Sequence, residues 1–374
     1  MTKCSMKPIK IYAENADPKA LHQFYTAMEQ DAAVQGAVMP DVHAGYSLPI
    51  GGVVATEGVI FPSWVGYDIG CGMCAQGFSF GRGAVEAYRQ EIFEKIYEAV
   101  PIGLGKYHEG RKKLTWKNGP RPMPEHTEAV KEILAKKNGE SQLGTLGSGN
   151  HFIEIGYDED DMIWVIVHSG SRGVGHATAT HYMKLAGGGK AREGHFGLRV
   201  DSTEGHAYQI DLNFCLEFAL ENRRQMLTTI YTVMKSFCDG EPTTELINRN
   251  HNHAESKDGR WIHRKGATHA EEGMAGVIPG NMRDGSFIVE GKGNPESLCS
   301  SSHGAGRVKS RSQAKKTIDF TTFKEEMEGI TAKVEPSVID ESPGAYKDIF
   351  EVMRLQSGLV DVKHHVRPII NVKA

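Results

Sequence analysis

An acid and a thiol stand three residues apart in Val65-Gly-Tyr-Asp-Ile-Gly-Cys-Gly-Met73. Three glycines raise the cost of helix there and favour a tight loop whose backbone can wrap a small charged object. A carboxylate (Asp68) and a thiolate (Cys71) aimed at one point bind a divalent metal. By itself the string also reads as a glycine turn holding a buried cysteine, so the question is whether other ligands exist. Three stretches offer them. Gly147-Ser-Gly-Asn-His-Phe-Ile-Glu154 sets His151 after a glycine loop. Ile163-Trp-Val-Ile-Val-His168 ends an apolar strand on a histidine. Asn248-Arg-Asn-His-Asn-His253 places His251 and His253 among asparagines. Asp68, Cys71, His151, His168 and His251 all fall at element ends, and mixed O, S and N ligands suit one or two borderline divalent ions, Mn²⁺ or Zn²⁺. Asparagine side chains there would fix imidazole tautomers.

A second constellation is Ser300-Ser-Ser-His-Gly-Ala-Gly-Arg307. Small residues expose backbone N–H groups as a phosphate nest, Arg307 adds a bidentate cation, and His303 can donate or act as the nucleophile in phosphoryl or nucleotidyl transfer. Pro279-Gly-Asn-Met282, followed by Ser286, is a further turn able to grip a nucleotide. Walker A spacing is absent, which excludes a P-loop ATPase. Two basic stretches complete the set. One, at 103–124, carries Lys112 and Lys113 with Tyr107 and Trp116 interleaved; the other runs from Arg307 to Lys316. Charge and aromatic rings in alternation fit single-stranded nucleic acid, although a solvated surface has the same composition.

Composition sets the frame. The 374 residues are 39% hydrophobic, enough for a large core, and carry a net charge of −4, which excludes a global electrostatic attraction to nucleic acid. The 43 glycines and 17 histidines fit loops that approach ligands closely, with imidazoles for metal or proton chemistry. Six cysteines in a chain of this length do not make a disulfide framework, and Cys71-x-x-Cys74 has no second pair to complete a structural zinc site. No apolar run of membrane-spanning length and no signal-peptide core are present, so a cytoplasmic location is expected.

The elements that must position these groups follow from periodicity. Helices are expected over Pro18–Gln35, Ala84–Val100, Glu125–Lys137, from His168 to about Ala186, Ile210–Phe237, Phe323–Thr331 and Ala345–Leu355. Strands are expected over Ala37–Met39, entering a turn at Pro40–His43, then over Gly51–Ile60, Ile163–Val167, Phe287–Glu290 and the last residues to Val372. No linker or repeat divides the chain, and a single α+β domain is the expectation.

Taken together, Met39-Pro-Asp-Val-His43, Val65–Met73, Leu146–Glu154, His168-Ser-Gly-Ser-Arg-Gly173, Ile278–Met282, Ser302–Arg307 and Ala345-Tyr-Lys-Asp348 resemble the RtcB family of RNA-splicing and repair ligases, in the family's order. The chain is similar to a shorter, bacterial-type member. The resemblance implies one RtcB-like domain over residues 1–374, with mixed and antiparallel sheets around a central metal and nucleotide cleft, flanked by helices. It implies a GTP- and Mn²⁺-dependent enzyme that joins RNA 3′-phosphate or 2′,3′-cyclic phosphate ends to 5′-hydroxyl ends. Asp68, Cys71, His151, His168 and His251 match the ligands of two manganese ions, with Cys71 as the bridge, and His303 matches the guanylylated histidine. Asn150, His151, Phe152, Ile153, Glu154, His251 and Asn252 match guanylate-contacting positions. So do Pro279, Gly280, Asn281, Met282, Ser286, His303, Gly304, Ala305, Gly306 and Lys373, while Tyr346 matches an aromatic that stacks on guanine. Arg172, with Lys112, Lys113 and Arg307, is a candidate for RNA phosphates. Broken RNA is the implied partner, with an archease-like activator left open. Tyr67 stands where the family often has valine, Asn250 where it often has histidine and Ser301 where it often has cysteine. Two other readings stay open on the residues: an enzyme that guanylylates or hydrolyses nucleic-acid 3′-phosphates without sealing, and a metal-stabilised RNA-binding module.

Overall fold

The computed structural model describes residues 7–109, 116, 122–189 and 194–374. Lys112 and Lys113 lie outside the described residues. The architecture is α+β, built on two large sheets. In the larger, neighbouring strands run antiparallel in the order Ala275–Pro279, Ser286–Gly291, Val360–Val372, Phe152–Tyr157, Ile163–Ser169, Gly72–Phe78 and Ile247–Asn250, and Thr331–Ala332 adds to Val360–Val372 in parallel. The smaller has Ile9–Ile11, Ala33–His43, Ile50–Thr56, Arg260–Lys265 and Asn252–Lys257 in that order, with one parallel pair, Ile9–Ile11 on Ala33–His43.

The strand Ile163–Ser169 is buried on both faces, as its unbroken apolar run requires. One face meets the 33-residue helix Thr203–Lys235, whose Met226, Leu227, Ile230 and Met234 pack with Val165, Val167 and Cys74. Helix Arg89–Ala99 adds Ile92 and Ile96 to the same core. Ser202 starts the long helix by accepting from Gly205 N at 3.0 Å, eight residues before the first position that periodicity marks.

Register does the positioning. Gly72 pairs with Ser169 on one side and Asn250 on the other, and Phe152 pairs with His168. Cys71, His151, His168 and His251 therefore meet at one end of the sheet, although they are spread over 181 residues of sequence.

Several elements differ from expectation: the helix at 18–35 ends at Met28, the strand at 51–60 is two, Ile50–Thr56 and Val59–Ile60, and the helix at 323–331 lies at Phe320–Glu326. The strand at 37–39 extends over Ala33–His43, and Pro40 does not end it. The register jumps from Val38↔Gly52 to His43↔Ile50, so the extra residues bulge where proline cannot donate. The helix at 84–100 is two, Arg82–Ala87 and Arg89–Ala99, broken at Tyr88. The helix at Ala345 starts only at Ile349, where Asp348 caps Phe350 N.

Candidate functional site

Four side-chain contacts define the centre. Cys71 Sγ lies 3.3 Å from His151 Nε2 and 3.2 Å from His168 Nε2. His168 Nε2 is 3.3 Å from His251 Nε2, and His151 Nε2 is 3.0 Å from Asp68 Oδ2. Two ligand groups thus share the thiol: Asp68, Cys71 and His151 in one, Cys71, His168 and His251 in the other. Three imidazole nitrogens and a sulfur at these spacings cannot all act as donor and acceptor toward one another, and the donor set suits divalent metal. Desolvation opposes charge on Asp68, but the hydrogen bond and charge of His151 outweigh it and hold the carboxyl below its usual range. Burial pushes the Cys71 thiol well up, with Asp68 adding to it. Burial and neighbouring imidazoles push His168 and His251 well down, so both present neutral nitrogens.

The surroundings are built for close approach. A Cβ on Gly170 would stand 2.2 Å from Asp68 Oδ1, and one on Gly147 would stand 1.9 Å from His151 Nδ1. His168 Nδ1 lies 3.0 Å from the Asn150 carbonyl, which fixes its tautomer and leaves Nε2 for the centre. Asn252 spans the loops, donating to Asp68 O at 3.2 Å and accepting from Gly266 N at 2.8 Å. Beneath them the buried Arg223 donates to Gly70 O, Ser169 O, Asn248 Oδ1 and Asn250 Oδ1, at 2.7 to 2.8 Å. Asn248 and Asn250 thus serve the arginine, a role that their spacing alone does not signal.

Beside the centre opens a cavity of about 820 Å³. His303 lines it, with its ring 4.7 Å from that of His251. Its Nδ1 is 2.6 Å from Asp41 Oδ2, on the bulged segment of Ala33–His43. An acceptor there assigns the proton to Nδ1 and leaves the Nε2 lone pair free. His303 N also donates to Asp41 at 3.2 Å, and Ala305 N to Pro279 O at 2.9 Å, so the small-residue loop is tied at both ends. Asn150, Phe152, Glu154, Pro279, Gly280, Asn281, Met282, Gly304, Ala305, Gly306, Tyr346 and Lys373 line the same cavity. Glu154 Oε1 and Asn371 Oδ1 are buried acceptors there without a protein donor. Burial raises the Glu154 pKa to about 8. Lys373 Nζ donates to Glu341 at 2.9 Å, and the Tyr346 hydroxyl donates to the same carboxylate.

Other predicted residues sit elsewhere. Ile153 alternates to the opposite face of its strand, and its side chain is in the core. Ser286 is fully buried in its strand, outside the cavity lining. Arg307 lines the cavity, but its guanidinium is bonded to Lys309 O, Asp340 O, Glu341 and the Tyr346 hydroxyl. Arg172 takes a left-handed φ of 58° and donates to Thr145 Oγ1 and Gly103 O, with Nη1 lying against Gly147. Trp116 corrects the reading of the 103–124 stretch: it is buried against Phe214 and Phe218, where its apolar area serves the core. His253 turns away from the centre and stacks on His269. Asp41 was missed as a site residue; its only signal was the Met39–His43 string.

With that geometry in place, similarity to known proteins bears on it. A family profile described as "tRNA-splicing ligase RtcB" matches residues 23–374. The RNA-splicing ligase RtcB of Escherichia coli K12 is 38% identical over 90% of this chain and 89% of its own length. The tRNA-splicing ligase RtcB of Aeropyrum pernix is 30% identical over 98% of this chain and 95% of its own.

Proposed function

The chain belongs to the RtcB family, and from that premise we propose that it is an RNA ligase of repair or tRNA splicing that uses GTP and Mn²⁺ to join 3′-phosphate or 2′,3′-cyclic phosphate ends to 5′-hydroxyl ends. The observation that carries the proposal is His303. It is a histidine with Nδ1 engaged by a buried carboxylate, its ring 4.7 Å from His251 of the ligand cluster, in a cavity large enough for a nucleotide.

Asp68, Cys71, His151, His168 and His251 would hold the metal, Cys71 being common to both ligand groups. Bound divalent ions would supply Lewis-acid neutralisation of charge on the transferring phosphoryl oxygens. His303 Nε2 attacks the α-phosphorus of GTP, and pyrophosphate leaves. Asp41 holds the Nδ1 proton and stabilises the cationic ring that forms. Glu154 and Asn371 offer acceptors to a base with a donor edge, which guanine has and adenine arranges differently. Tyr346 supplies a ring for stacking. The guanylate then passes to the RNA 3′-phosphate, and the 5′-hydroxyl displaces GMP as the new phosphodiester forms. A cyclic end must first be opened by water to the 3′-phosphate.

Incubation with Mn²⁺ and GTP labelled at the α-phosphate should label the protein, and His303→Ala should remain unlabelled. RNA bearing a 2′,3′-cyclic phosphate should then be joined to a 5′-hydroxyl strand. An unlabelled wild-type protein overturns the reading, and capped but unjoined ends identify an end-modifying enzyme instead.

A further inference from the structure

The nucleotide cavity and the metal cluster leave an aromatic group beside them unused. Tyr46 stands at the mouth of the cavity, 55% exposed. Its ring meets Tyr67 edge to face at 5.8 Å and 89°. Tyr67 in turn stacks on the exposed ring of His176 at 5.0 Å and 19°. Tyr67 immediately precedes Asp68, and His176 lies one helical turn after Arg172 on the helix Arg172–Ala186. Three rings therefore run from the cavity mouth, past the metal ligands, to the start of that helix.

The ledge is held in place. Gln23, on the helix Pro18–Met28, donates to the Gly45 and Tyr46 carbonyls and accepts from Gly45 N at 3.0 Å. The backbone under Tyr46 is thus clamped before any ligand arrives. Lys265 Nζ lies 5.5 Å from the centroid of the Tyr46 ring. The Lys265 ammonium is itself buried and lies against the ring, while Tyr46 stays exposed, so the clamped side chain offers single-stranded nucleic acid an aromatic face on which a base can stack.

We infer that Tyr46, supported by Tyr67 and His176, stacks one unpaired nucleobase of the RNA adjoining the broken end, and that this ledge sets a preference for unpaired ends without sequence preference. Every base has a π-face, so the contact discriminates paired from unpaired RNA more than one base from another. The inference rests on the RNA-ligase reading, and its test separates the two.

Full-length protein with Mn²⁺ is titrated with single-stranded RNA ending in a 2′,3′-cyclic phosphate, and Kd is read by fluorescence anisotropy. Tyr46→Leu and Tyr67→Leu should weaken binding by roughly five- to a hundredfold, the range set by base–aromatic stacking. Tyr67→Phe should bind as wild type, and labelling of His303 by GTP should stay within about twofold in all three. A series of RNAs with one abasic nucleotide stepped away from the end requires no variant. One position should lose affinity in wild type and lose nothing further in Tyr46→Leu. Unchanged affinity in both leucine variants, or a flat abasic series, overturns the ledge while His303 labelling stands. Absence of labelling in the wild-type protein overturns the ligase reading and the ledge with it.

Discussion

At the scale of single residues, Asp41 would decide which nitrogen of His303 reacts in the proposed guanylylation. Its side chain is fully buried, and its Oδ2 accepts a hydrogen bond from Nδ1 at 2.6 Å. Asp41→Ala would free the ring to hold its proton on either nitrogen and remove the countercharge for the imidazolium. Guanylylation of His303 should slow by about a hundredfold, the lower end of what positioned proton-holding groups contribute. A change within about threefold, read from single-turnover labelling, would show that His303 is oriented by something else. Gly170 gives a second prediction, purely steric. Alanine there puts a Cβ 2.2 Å from Asp68 Oδ1, closer than any real contact. Gly170→Ala should therefore lose Mn²⁺ binding by calorimetry while keeping its circular dichroism, and retention of full affinity would mean the carboxylate has room to swing away. The cluster of Asp68, Cys71, His151, His168 and His251 was legible in sequence because thiol, carboxylate and imidazole beside glycine are rare combinations with few uses. Asp41 was not legible as a partner. A lone acid between proline and valine has no distinctive spacing, and its histidine is 262 residues away.

At the scale of elements, periodicity found the long helix and the apolar strand, since each repeats its pattern over enough residues to stand out. It misjudged Ala33–His43, because Pro40 normally ends a strand and the bulge that tolerates it depends on the partner strand. It also merged two helices across Tyr88, where no glycine or proline marks the break. One junction between elements has a pH signature. Glu341 ends the turn Pro336–Glu341 and meets Lys373, Arg311 and Tyr346, so it ties three separate segments at the cavity wall. Burial opposes its charge, but Lys373 and Arg311 override that cost and lower its pKa from 4.5 to about 2. The folded state therefore holds this proton less tightly than the unfolded chain does. The resulting stability is fully present above the unfolded value and is lost as pH falls from about 4.5 through about 2, to a total of about 3 kcal/mol. Urea unfolding of wild type and Glu341→Gln across that window should show the wild type losing stability more steeply on acidification. Parallel curves would assign the acid sensitivity to other carboxylates.

At the scale of the whole molecule, the α+β class could be read from alternating patterns, and no helix among the described residues is long and apolar enough to cross a membrane. What could not be read was the pairing that brings residues 71, 151, 168 and 251 to one end of one sheet, because register depends on partners remote in sequence. That same remoteness predicts how metal and fold are coupled. The candidate ligands come from four segments, and one of them, His251, is the single residue that joins Ile247–Asn250 of the larger sheet to Asn252–Lys257 of the smaller. An ion bound only by the native arrangement stabilises it by RT ln(1 + [L]/Kd), about 2.7 kcal/mol at a hundredfold excess over Kd. Mn²⁺ should then raise the Tm by several degrees over the same protein treated with chelator, and Cys71→Ser should lose most of that increment because it removes the ligand common to both groups. Arg223 sets the contrast. Its four hydrogen bonds brace the backbone and asparagines around that cluster through protein atoms alone. Arg223→Met should lower the Tm of the chelated protein itself, by leaving buried acceptors unpaired at a cost of about 1–3 kcal/mol each. If Arg223→Met instead left the chelated protein unchanged and only reduced the Mn²⁺ increment, the loops would be organised by the ions and not by the arginine beneath them.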